Sequence, residues 1–309
     1  MGTPLLWLAF NLFVLVAIAL DLGVFSRRLH KVEMKEAAIS SAVWVVLSLL
    51  FGVGVFHYWG RQPALEFFTG YLIEKALSVD NLFLFLVIFR TFGIDERFQH
   101  RMLEWGILGA LIMRAVMIAA GTALIQRFSW VLYLLGAFLI YAGAHMLFSK
   151  KEQAHPEQNP IVRFATRHLR VTHDYHGERF FTRIKGKLYA TPLFLVLVVV
   201  EMTDVTLAID SIPAIFGITT DAFIVYTSNV FAILGLRAMY FLLAGALNRL
   251  RFLTVGLSFV LMFIGGKMIA GYWLHVPESV SLLTVLGILL LALAASLLFP
   301  AKPEATATP

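Results

Sequence analysis

The chain of 309 residues is 60% hydrophobic and only 14% charged, with a formal net charge of +6 and a mean hydropathy of +0.82. That balance excludes a water-soluble domain and specifies an all-α polytopic membrane protein. There is no cysteine, which removes disulfides, thiolate metal sites and thiol redox chemistry, so that any redox effect is indirect.

Runs long enough to cross a hydrocarbon core of about 30 Å recur along the chain. Nine spans are expected: Leu5 to Phe25, Ala38 to Tyr58, Leu65 to Phe89, Leu103 to Ile125, Trp130 to Phe148, Leu193 to Phe216, Phe223 to Leu243, Leu253 to Trp273 and Ser281 to Phe299. The first has no basic residue before it and no small-residue cleavage site after it, so it reads as a retained span and not a signal peptide. Leu6 stands where a myristoylation signal needs Ser or Thr. Residues 1–300 form one transmembrane transport domain with a cytoplasmic loop at 149–188, and the Pro-rich tail 301–309 reads as disordered.

Lys and Arg fall unevenly between the spans. The first, third, fifth and seventh loops hold eighteen and the even loops only Arg61 and Arg127. The positive-inside rule then puts the N-terminus outside and the C-terminus in the cytoplasm. A basic inner face meeting anionic lipid accounts for the high pI, and no nucleic acid is implied.

Charges inside the spans carry the chemistry. The acids are taken as Asp21, Glu74, Asp80, Glu201, Asp204 and Asp210, and the bases as Lys75, Arg114, Arg237 and Lys267. An Asp at mid-span costs about 3 kcal/mol on insertion scales, so the sixth span, with three acids, needs partners, protons or a bound cation. Six acids against four bases leave two negative charges, which one divalent cation would cancel. The plainer reading is that the acids pair with the four bases to hold helices together. Both can hold, with Lys75, Arg114, Arg237 and Lys267 as counter-ions or gates, since a guanidinium cannot coordinate a metal.

The stretch EKALSVDN, Glu74 to Asn81, matches DVTLAIDS, Asp204 to Ser211, in the order of its acids, Leu, small and polar residues. The spans that follow carry LIMRA and ILGLRA, ending at Ala115 and Ala238. The next carry YAGAHM and FIGGKM, with His145 and Lys267 at matching places. The third to fifth spans thus repeat as the sixth to eighth. A unit with an odd number of crossings must lie upside down in its second copy, so a three-plus-three inverted repeat is expected, an arrangement transporters use with a polar site between the repeats.

Helical geometry at about 100° per residue places Glu74, Ser78 and Asn81 on one face, and Asp204, Ala208 and Ser211 on another, with Asp80 and Asp210 about 120° away. Pro213 frees the carbonyl of Ile209, and a break there is expected to turn Asp210 toward Asp204. The third span has no such proline after Asp80.

EKALSVDNLF, together with the long stretch from Thr191 to Gly245, strongly resembles the TerC/Alx family of integral membrane proteins, itself distantly similar to the LysE transporter superfamily. The resemblance implies a multi-pass protein of the bacterial inner membrane, associated with tellurite resistance and with manganese export. Carried over by position, it implies metal-handling roles for Glu74, Asp80, Asn81, Glu201, Asp204 and Asp210, with Ser211 beside them. Oxygen ligands suit Mn, Mg or Ca and argue against copper; the choice of Mn²⁺ comes from the resemblance.

Other signals are weaker. His173 to Glu178 suits a peripheral metal sensor less well than a set of solvated side chains, His145 reads as a packing residue, and Asn229 as an extra ligand or an interhelical hydrogen bond. Two functions from different classes follow. The first is an exporter of divalent cations, Mn²⁺ above all, alternating access about the carboxylates with inward proton exchange on them. The second is a non-transporting scaffold or assembly factor linked to metal or tellurite stress. Neither is an enzyme, neither needs a permanent cofactor, and a homo-oligomer is compatible with both.

Overall fold

The computed structural model describes residues 2–25, 34–148, 171–172, 177, 179–184, 186–243, 252–271, 273 and 276–299, with the side chains of residues 21–25, 80, 96 and 97 outside that description. The His173 to Glu178 stretch, apart from Gly177, and the tail 301–309 lie outside it.

Ten helices are described: α1 (Pro4–Phe25), α2 (Met34–Trp59), α3 (Arg61–Thr91), α4 (Glu96–Arg127), α5 (Val131–Phe148), α6 (Pro192–Phe216), α7 (Ala222–Ile233), α8 (Leu236–Leu243), α9 (Leu253–Ala270) and α10 (Glu278–Leu298). Among the described residues seven helical segments are long and apolar enough to cross a membrane, with α7 and α8 counted as one. The protein is a polytopic all-α membrane protein. Among the described residues the one sheet is a hairpin of β1 (Phe181–Ile184) and β2 (Lys187–Ala190), which turns the end of the expected loop into an ordered lead for α6.

Local chemistry starts the helices. Pro192 occupies the first turn of α6 behind Thr191, where its missing N–H costs nothing. Asp221 caps α7 by accepting from the Phe223 and Ile224 amides at 2.9 and 3.2 Å.

The expected break at Pro213 is corrected. α6 runs through Pro213 to Phe216 without interruption, because Ile212, Ala214, Ile215 and Phe216 are all buried and their packing holds the turn despite the lost hydrogen bond. The interruption falls in the seventh span, at Leu234–Gly235 between α7 and α8. Gly235 is needed there: a Cβ would stand 3.1 Å from Trp44 Cβ and 3.3 Å from Lys75 Nζ.

α7 is the buried axis of the bundle, with every residue from Phe223 to Ile233 shielded, including the polar run Thr227, Ser228 and Asn229. α1, α2 and α10 instead present Leu8, Leu12, Val46, Leu50, Leu290 and Leu291 outward, where lipid is their solvent.

The two trios α3–α5 and α6–α9 are arranged in opposite directions. Along α4 and α6, Gly106 meets Val200, Arg114 meets Asp204 and Gly121 meets Phe216, so these helices are parallel. Along α3 and α7, Gly70 meets Ser228 and Lys75 meets Ala232, again parallel. α3 and α6 are antiparallel, since Gly70 meets Ile215 while Glu74, further along, meets Ser211. Each helix of the first trio therefore runs against its counterpart in the second. α5 and α9 show the relation most closely: Gly136 packs on Gly265 and Gly143 on Ser258, and adding 122 to 136 and 143 gives 258 and 265. Exchanging the two helices exchanges the two contacts, as a two-fold axis in the membrane plane requires.

Candidate metal centre

The site is built around Arg114 of α4, whose residue surface is 1% exposed. Its guanidinium meets one carboxylate from each trio. Nη1 donates to Glu74 Oε1 of α3 in a close ion pair. Nε and Nη2 donate to Asp204 Oδ2 and Oδ1 of α6, each at 3.4 Å, in a two-pronged contact. Nη1 also lies 3.2 Å from Ser211 Oγ and 3.4 Å from Asn229 Oδ1 of α7. Glu74, Asp204, Ser211 and Asn229 are all buried, with Glu74 and Asp204 near the middle of their helices.

The faces expected from helical geometry are the faces that turn inward. Glu74, Ser78 and Asn81 are buried on α3, and Asp204, Ala208 and Ser211 on α6. Three polar atoms there have no hydrogen-bond partner among the described residues: Glu74 Oε2, Ser78 Oγ and Asn229 Nδ2. Glu74 and Ser78 lie one turn apart on α3, so the two unpartnered oxygens share a face. Polar atoms left so in a low-dielectric interior are costly and call for a ligand or water.

The other expected residues are distributed around this centre. Glu201 is half-buried one turn before Asp204, and its carboxylate occupies the space a side chain at Gly109 of α4 would fill. Asp210, six residues beyond Asp204 on α6, is half-buried. The Asp80 and Asp21 side chains lie outside the described residues. The structure therefore joins Glu74, Asp204 and Ser211 directly, and adds Asn229. Among the described residues no group of three or more His, Cys, Asp or Glu is positioned to hold a metal; the centre gathers two carboxylates, Glu74 and Asp204, with Arg114 between them.

The remaining basic residues go elsewhere. Lys75 Nζ donates to the Ala232 carbonyl at 3.1 Å, at the end of α7 where the helix is interrupted. Arg237 of α8 donates to Glu104 Oε1 of α4 at 2.9 Å. Lys267 pairs with Glu278 at the start of α10, at 2.7 and 2.9 Å. These pairings revise the sequence tally. Glu104 sits inside the expected fourth span and was left out of the acids; it takes Arg237 away from the six. Glu278 stands just before the expected ninth span and takes Lys267. Of the four bases, only Arg114 forms an ion pair with any of the six counted acids among the described residues.

Residues 59–304 match the profile of the integral membrane protein TerC family. The chain belongs to the TerC family. Its relatives agree over nearly the whole length. It is 49% identical over 299 residues to the putative membrane-bound redox modulator Alx of Escherichia coli, covering 94% of this chain and 93% of that protein. It is 50% identical over 297 residues to an uncharacterized membrane protein of Myxococcus xanthus, covering 96% and 93%. A Rickettsia bellii membrane protein is 38% identical over 292 residues, covering 94% and 97%. No solved structure matches the chain. The family match covers every residue of the buried centre, Glu74, Arg114, Asp204, Ser211 and Asn229.

Proposed function

We propose that this TerC-family protein exports divalent metal cations, Mn²⁺ above all, from a bacterial cytoplasm across the inner membrane by alternating access. The observation that supports this reading is the meeting of Glu74 and Asp204, one acid from each of two oppositely directed trios, at the middle of the bundle. A site shared by two halves is the element that rocking one half against the other opens to either side. The side-chain oxygens of Glu74, Asp204, Ser211 and Asn229 are the hard donors that Mn²⁺, as transported substrate, would use, with Ser78 Oγ beside them.

Selectivity follows from dehydration. Mg²⁺ gives up water reluctantly and demands a near-ideal octahedron, so a site offering several protein oxygens from different helices favours Mn²⁺. Ca²⁺ competes to some extent. Alx is called a putative redox modulator; this chain has no cysteine, so a redox effect of its own would act through the metal it moves.

The scaffold reading has one observation in its favour, the pairing of both buried acids with Arg114. Purified protein in liposomes with a metal-sensitive dye separates the two. The exporter moves Mn²⁺ faster than Mg²⁺, slows as protons compete for its carboxylates on the loading side, and loses flux in Glu74→Gln and Asp204→Asn variants that still insert. No flux of any cation from folded protein returns the scaffold.

A further inference from the structure

We propose that Arg114 is a tethered counter-cation: in the metal-free carrier its guanidinium takes the place of the transported divalent ion between Glu74 and Asp204, so that the empty carrier returns without an exchange ion. The proposal rests on the export reading above and specifies how that cycle closes.

Three observations carry it. The first is the identity of the groups around the guanidinium. Arg114 gathers oxygens from Glu74, Asp204, Ser211 and Asn229 on three helices, drawn from both trios. This is a hard-donor set, and a guanidinium, having only N–H donors, cannot share a metal's coordination shell. Metal and Arg114 therefore compete for the same oxygens, and one must leave when the other enters.

The second is charge. Two buried carboxylates without a cation are too costly to carry through a reorientation inside the membrane. A divalent ion neutralises them, and Arg114 reduces the excess to one. The third is the incompleteness of the present fit. Glu74 Oε2 and Ser78 Oγ are buried and have no hydrogen-bond partner among the described residues with Arg114 in place. The planar guanidinium satisfies one oxygen of Glu74 and leaves the other for a ligand that binds more of the set. Arg237, the sequence counterpart of Arg114, stays with Glu104, so the role falls to the arginine of the first trio.

A tethered cation makes a specific kinetic demand. Net efflux requires the empty carrier to return, whereas exchange of Mn²⁺ for Mn²⁺ uses only the loaded form. The test uses the full-length protein in vesicles loaded with radiolabelled Mn²⁺, diluted into medium with or without Mn²⁺. Wild type shows both fluxes, and an internal pH dye shows no proton entry in fixed ratio to Mn²⁺. Arg114→Gln loses net efflux by roughly 100-fold, the scale of moving uncompensated buried charge, while exchange persists. Arg114→Lys, which keeps the charge, recovers part of the net flux.

Equal loss of both fluxes in an Arg114→Gln protein that still inserts and binds Mn²⁺, or no loss of either, overturns the proposal. If Arg114→Gln does not fold, the wild-type pH measurement decides, because stoichiometric proton entry would mean that an exchange ion, and not Arg114, closes the cycle. Absence of both fluxes in wild type removes the export reading itself, and this inference with it.

Discussion

Arg114 and Arg237 stand at corresponding places in the two trios, each preceding an alanine after an apolar run, yet the fold uses them differently. Arg114 lies at the centre between Glu74 and Asp204. Arg237 is tied by Glu104 to the first half of α4, next to Tyr240, whose hydroxyl donates to Gln99 at 2.9 Å. The α5–α9 pair, in contrast, repeats its contacts when the helices are exchanged. The scaffold of the repeat is thus symmetric while its charges are not. On the export reading, an inverted repeat held in one of two states related by the pseudo-two-fold would have this property: packing that both states share obeys the two-fold, and the site that differs between them breaks it.

Four measurements break or sharpen that contrast. The largest effect is expected at Arg114. Arg114→Leu strands two buried carboxylates and should destabilise the protein in detergent by about 3–5 kcal/mol. Arg237→Leu releases Glu104, whose side chain is 19% exposed and reaches water more easily, so it should cost about 1 kcal/mol, the scale of a partly solvated pair. Equal costs would mean that the two arginines are equivalent after all.

The symmetric region gives the complementary test. A methyl at Gly143 would stand 2.6 Å from the Ser258 carbonyl, and one at Gly265 would stand 2.5 Å from that of Gly136. Gly143→Ala and Gly265→Ala should each lose about 1–3 kcal/mol by overpacking, and by similar amounts, because the two positions exchange. Gly266→Ala, which meets nothing within 4 Å, should be neutral or gain up to about 1 kcal/mol from helix propensity. Unequal losses at the first two would break the two-fold.

A smaller effect is expected where α8 meets α4. Tyr240→Phe deletes the hydrogen bond to Gln99 and should cost about 0.5–1.5 kcal/mol, leaving Arg237 on Glu104. Loss of the Arg237 contact as well, read by the Arg237→Leu difference in the Tyr240→Phe background, would show the two bonds to be one unit. The last measurement perturbs least. Reporters fused after Arg179 and within Gly217–Asp221 should report cytoplasm and exterior respectively, as the basic loops require. Finding both on one side would remove the inversion on which the comparison stands.

Hydropathy and helical period, local quantities summed over a few turns, make the lipid solvent, the all-helical class and the faces that carry the carboxylates legible in the sequence. Nine spans were expected, whereas seven helical segments among the described residues are long and apolar enough to cross. The sequence also revealed the two trios, since EKALSVDN and DVTLAIDS keep their spacing. It did not determine which charges meet. Glu104 was overlooked near the start of the fourth span, although it is visible there as an acid eight residues after Glu96, and its pairing with Arg237 joins positions 133 residues apart. Nor did it locate the interruption. Pro213 lacks an N–H, but burial of its neighbours holds α6 together, while Gly235, at the gap between α7 and α8, is approached by Trp44 and Lys75 from other helices. Partner choice and helix continuity depend on how helices cross, and in a membrane, where apolar surface attracts no more to a neighbouring helix than to lipid, that is decided by close packing and by buried polar contacts between distant segments.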